Sequence, residues 1–154
     1  MTKAGHHFTG FITAALLLIV MPDLNVFGLA ACVAGATAPD WLEIVHHDSN
    51  GKRRSLIPHR TITHWLVLWL ALAVFCFTFS HELFGAIGFG FAMGGLTHLA
   101  FDIPNPSGVP VLNPLKNTSL KLWSSGELEW IVVPGYGLVV FLIYALKSWL
   151  IKSV

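Results

Sequence analysis

Five apolar stretches divide the chain, at residues 8–21, 24–38, 62–79, 83–101 and 130–150. The last three approach the ~20 residues that a membrane-spanning helix needs. The first two fall short, so they extend into their flanks, tilt as a hairpin that thins the bilayer, or re-enter without crossing. Tight connections at Pro22-Asp23 and Ser80-His81-Glu82 alternate with two long polar segments, 41–61 and 102–129. The pattern predicts an all-α polytopic membrane bundle of about five helices, four or five of them spanning. One membrane-embedded domain covers 1–154, and its two long loops contribute to any site at their end.

Composition strengthens this picture. The chain is 55% apolar and 11% charged, against ~25% charged in an average soluble domain. That much apolar surface calls for lipid as its solvent. A net charge of +1 gives no reason to expect nucleic acid. Cys32 and Cys76 lie within apolar runs and read as packing residues. No A-x-A-like cleavage site with the usual flanks follows the first apolar run, so that run is read as retained. With five crossings, Lys3, Lys52, Arg53, Arg54, Arg60, Lys116 and Lys121 fall on one side, and Lys147 and Lys152 on the other. This asymmetry puts the long loops in the cytoplasm.

The titratable side chains gather on the same side. His6 and His7 precede the first helix, Asp40 and Glu43 follow the second, and His59 and His64 open the third. His98 and Asp102 close the fourth, and Glu129 opens the fifth. Such groups are expensive at membrane depth and usually face a polar cavity or one another. His98 and Asp102, at i and i+4, share a helix face before Pro104 stops the helix. That pair suits a divalent cation with nitrogen and oxygen ligands, or a plain hydrogen bond at a helix end. Pro58 suits a first helical turn, which would set His59 and His64 roughly 140° apart and Arg60 on the face of His64. Arg60 can hold a phosphate or simply be a loop cation. Asp40 reads as a ligand or a turn residue, Glu127 and Glu129 as helix caps or acids of the site. His46 and His47 read as solvated, His81 as structural.

The order of these motifs resembles the YdjM-type family of membrane-bound predicted metal-dependent hydrolases, which is similar in motif style to zinc-dependent phospholipase C. The resemblance rests on Gly5-His6, Pro39-Asp40, His59-Arg60-Thr61-Ile62-Thr63-His64, Thr97-His98 through Asp102, the stretch Pro106-Ser107-Gly108-Val109, and Glu129. It covers nearly the whole chain. Where the family reads Pro-Asp-x-Asp-His, this chain has Leu42 and Glu43, and Thr61 stands at the family's usual Gly.

Together these readings give His6, Asp40, His59, His64, His98, Asp102 and Glu129 as metal ligands for one or two divalent ions, zinc first. Arg60 would neutralise substrate charge, and Glu129 or Glu43 would act as general base. The expected activity is hydrolysis of a phosphoester or related ester in a lipid or lipid-linked substrate by a metal-activated water. The expected place is a bacterial cytoplasmic (inner) membrane, with the site facing the cytoplasm. The oligomeric state stays open. The competing class is a non-enzymatic membrane protein: a metal-binding scaffold, a family member that has lost activity, or a transporter. A transporter, however, would carry polar groups near the midplane, and residues 66–79 and 131–146 have no ionisable side chain there beyond tyrosine and cysteine.

Overall fold

The computed structural model describes residues 1–153. It contains six α-helices and two small hairpins. The helices are α1 (Lys3–Val20), α2 (Val26–Gly35), α3 (Ala38–Trp41), α4 (Leu66–Phe77), α5 (Leu83–Asp102) and α6 (Glu129–Lys152). Strands β1 (Val45–His47) and β2 (Arg53–Ser55) pair antiparallel, as do β3 (Val109–Pro110) and β4 (Asn117–Thr118). Three helices, α1, α5 and α6, are long and apolar enough to cross a membrane, and α2 and α4 are shorter apolar helices.

Local chemistry explains where the elements differ from the apolar runs. α1 starts before its run because the Thr2 hydroxyl accepts from Gly5 N at 3.2 Å and caps it. Asn25 caps α2 through Phe27 N in the same way. The stretch 62–79, expected as one helix of near-spanning length, is broken. Residues Ile62–His64 form a single 3-10 turn and Trp65 is extended, with ψ at 114°. The Trp69 indole donates to the Thr63 carbonyl at 2.7 Å, so that carbonyl is satisfied outside the helix and α4 begins only at Leu66. The wheel that placed Arg60 and His64 on one helical face therefore does not apply, and Pro58 opens no helix.

α5 is the hub and packs on α1, α2, α3 and α4. Its approach to α2 requires glycine. A Cβ on Gly28 would lie 2.7 Å from the Ala86 carbonyl oxygen, and one on Gly94 would meet the backbone of Cys32, Gly35 and Ala36. In lipid, close backbone packing of this kind replaces the hydrophobic effect as the source of helix association. One apolar cluster (Leu17, Leu24, Cys32, Cys76, Ala86, Phe89) fills the half of the bundle away from the long loops. A second (Ala38, Trp69, Leu99, Val109) lies beneath them. α6 leans on α1, with Tyr136 against Phe101 of α5, and otherwise turns its apolar side chains outward.

Candidate metal-binding site

The close α2–α5 crossing brings the end of α2 onto the last turns of α5. There the His98 Nδ1–H donates to the Ala36 carbonyl at 2.9 Å. A carbonyl can only accept, so in the neutral ring this bond puts the proton on Nδ1 and the lone pair on Nε2. That nitrogen is buried without a hydrogen-bond partner. It faces Asp102 Oδ2 at 3.6 Å and Asp40 Oδ1 at 3.9 Å. Three acceptors thus converge on one point.

The same arrangement recurs around it. His6, from the first turns of α1, stacks on His98 with ring centroids 3.7 Å apart, and its Nε2 lies 3.4 Å from Asp102 Oδ1. His64, delivered by the 3-10 turn, places Nε2 3.4 Å from Asp40 Oδ1 and Nδ1 3.4 Å from Glu43 Oε1. His59 donates Nδ1–H to Glu43 Oε1 at 2.6 Å, while its Nε2 accepts from Arg60 Nε at 3.4 Å. Two groups result whose ligand atoms lie within 4.8 Å of one another: Asp40, Glu43, His59 and His64, and then His6, His98 and Asp102. Asp40 and His98 link them. His6, His64, His98 and Glu43 are each at most 1% exposed, whereas the Asp40 and His59 side chains are 43% and 49% exposed.

The donor set fits a divalent cation. Three buried imidazoles and three carboxylates are a nitrogen–oxygen set of the kind zinc takes. His6 Nδ1, His64 Nε2 and His98 Nε2 are buried ring nitrogens without a hydrogen bond, which folded proteins rarely tolerate. At Asp40, burial works to raise the carboxyl pKa, but the close approach of the His64 imidazole and the field of His98 and His6 outweigh it and hold the value down to about 2.

Asp102 carries further contacts. Arg60 Nη2 donates to its Oδ2 at 3.0 Å, Asn105 Nδ2 to its Oδ1 at 2.9 Å, and the Met1 amino group to Oδ1 at 2.7 Å. Arg60 has φ of 58°, a left-handed backbone that costs a non-glycine residue roughly 1–2 kcal/mol. The guanidinium offsets that strain by joining Asp102 to the Gly108 carbonyl across the loop. Asn105 was not singled out from the sequence, although a polar residue beside Asp102 and Pro104 was there to be seen. Nor was the Ala36 carbonyl, because a backbone group leaves no mark in the sequence.

Glu129 lies outside both groups. Its carboxylate accepts from the Thr2 backbone N–H and hydroxyl, and from Gly126 N at 3.1 Å. It ties the start of α1 to the start of α6. Glu127 caps its own loop through Ser124 N. His46 and His47 sit on the exposed β1 strand, and His81 lines a separate cavity of about 530 Å³ with Asp23 near the opposite helix ends. Glu43, which stands where the family has His, faces His59 and His64 as a ligand would. Leu42 packs into the apolar cluster below.

No curated protein and no solved structure matches the chain. Residues 1–152 match the family described as YdjM inner membrane protein. That span is nearly the entire sequence, and the chain belongs to the YdjM inner membrane protein family.

Proposed function

We propose that this protein is a membrane-embedded, metal-dependent hydrolase that cleaves a phosphoester or related ester in a lipid or membrane-associated substrate. The observation that carries the reading is His98 Nε2, a lone-pair nitrogen fixed by its Nδ1–H bond to Ala36 and aimed at two carboxylates. A cation between them removes the repulsion of three facing acceptors.

His6, His98 and Asp102 would hold one ion, and Asp40, His59 and His64 a second, with Glu43 beside it. When bound, a zinc-like ion supplies Lewis acidity and lowers the pKa of a water to about 7. The chain's own residues do the rest. Ala36 and Glu43 hold the Nδ1 protons of His98 and His59, which leaves His98 Nε2 a lone pair without a partner and His59 Nε2 an acceptor shared with Arg60. Arg60 positions Asp102 rather than standing free for substrate. The proton-accepting carboxylate is assigned to Glu43, since Glu129 is bound to Thr2 and Gly126. The buried face of the site excludes water from the imidazoles. The basic loop residues support an orientation with the site at the cytoplasmic surface of the inner membrane.

The test is headgroup or phosphate release from mixed phospholipid vesicles by detergent-purified protein, with and without chelator. Chelator-sensitive release that His98→Ala abolishes supports the reading. Release unaffected by chelator, or none from zinc-loaded protein across neutral and anionic lipids, contradicts it.

A further inference from the structure

Arg60 is the cation that the sequence offers to an anionic substrate, yet its guanidinium is already spent on Asp102, the Gly108 carbonyl and the His59 ring. A different cation stands at the entrance. Of the clustered ligand candidates, the side chains of His6, His64, His98, Glu43 and Asp102 are sealed, and only Asp40 and His59 are open. Asp40 opens into a cavity of about 230 Å³ lined by Lys3, Thr37, Asp40 and Trp41. Among the described residues, the Lys3 ammonium has no hydrogen bond or ion pair. Lys3 also begins α1, and no acid accompanies it in the first turn. A cation at that end works against the helix dipole. The N-terminus of α1 is already taken by the Thr2 hydroxyl and the Glu129 carboxylate, so an anion entering the cavity would meet Lys3 as its cation. Trp41 forms an exposed aromatic wall, held edge-on to Phe91 at 6.2 Å, of the kind that sits at headgroup depth. The Thr37 hydroxyl is turned away, toward the Ala34 carbonyl.

We infer that Lys3 receives the anionic group of the substrate, a phosphoryl group, in the cavity beside Asp40. The inference rests on the hydrolase reading and assigns its substrate-binding cation. Asp40 lines the same cavity and repels a bare anion, so anion binding is coupled to cation occupancy of the Asp40 group. One contact to a charged group of this kind is worth at least about tenfold in affinity.

The experiment uses full-length protein in detergent, as purified and after zinc loading. Binding of inorganic phosphate and of dihexanoyl phosphatidic acid is compared for wild type, Lys3→Gln, Lys3→Arg and the control Lys116→Gln. Zinc content is measured on every sample. Lys3→Gln should weaken binding of the zinc-loaded protein at least about tenfold, with zinc content unchanged. Lys3→Arg and Lys116→Gln should stay within about threefold of wild type. Tighter binding of phosphatidic acid than of phosphate assigns the anion to a lipid headgroup, and equal binding to a free phosphoryl group. Both support the site. Wild-type affinity in Lys3→Gln, an equal loss in Lys116→Gln, or no binding of either probe by wild type overturns it. A protein that binds no zinc refutes the metal reading by itself. Lys3 is then judged on the as-purified samples, where an unchanged affinity in Lys3→Gln is equally fatal.

Discussion

At the scale of single residues, the site is organised by demands on Asp102 and His98. Asp102 accepts from Arg60 and Asn105 and faces two imidazoles, so its charge is balanced from several sides. Breaking such a buried network by removing one partner usually costs ~3–5 kcal/mol. Arg60→Gln is therefore expected to lower the thermal midpoint of the detergent-solubilised protein markedly and to weaken metal binding. Unchanged stability in that variant would show that the Asp102–Gly108 link is not structural. Asp40 behaves differently, because its pKa is held down to about 2. A lowered folded pKa contributes stability above the unfolded value of ~3.9, and that contribution is lost as pH falls toward 2. Asp40 should therefore stay ionised while acidification releases bound metal through its other ligands. Asp40→Asn should weaken zinc binding and so move the midpoint of a pH titration of bound zinc to higher pH.

At the scale of elements, the runs of apolar residues located the helices well, because a spanning helix writes its length into composition. Their ends were less legible. His59, Arg60 and His64 look like the first turns of a helix, but the Trp69 indole captures the Thr63 carbonyl and a 3-10 turn results. That long-range bond has no local signature. Nor could spacing alone show that His98 is oriented by the backbone of α2, although the i, i+4 relation to Asp102 was plain. Glu129 is the opposite case. Position suggested a ligand or base, and its oxygens instead fasten Thr2 at the start of α1. Glu129→Gln is expected to cost roughly 1 kcal/mol of stability and to leave zinc content unchanged, as measured by metal analysis of the folded protein. The α2–α5 crossing offers a sharper structural test. Gly94→Val inserts a side chain into the backbone of α2 and should destabilise the fold by at least ~1–3 kcal/mol. It should also release metal, since the Ala36 carbonyl then moves away from His98.

At the scale of the molecule, every clustered ligand candidate comes from a helix end or loop at one end of the bundle: the start of α1, α3, the turn before α4, and the end of α5. Basic residues collect there too, and on the positive-inside rule we propose that this end faces the cytoplasm. Cysteine at Leu112, an 82% exposed loop position, should resist a membrane-impermeant maleimide in intact cells. Cysteine at Ser153 should react, against low background from the buried Cys32 and Cys76. The reverse pattern would invert the proposed orientation. The central claim, that buried imidazoles and carboxylates form a metal centre, is tested most directly by metal analysis of the detergent-purified protein beside its His98→Ala and Asp102→Ala variants. One or two equivalents of a divalent metal in the wild type, with loss in both variants, is the expected result. Wild-type protein without metal after zinc loading, or variants that keep its full complement, would contradict the claim.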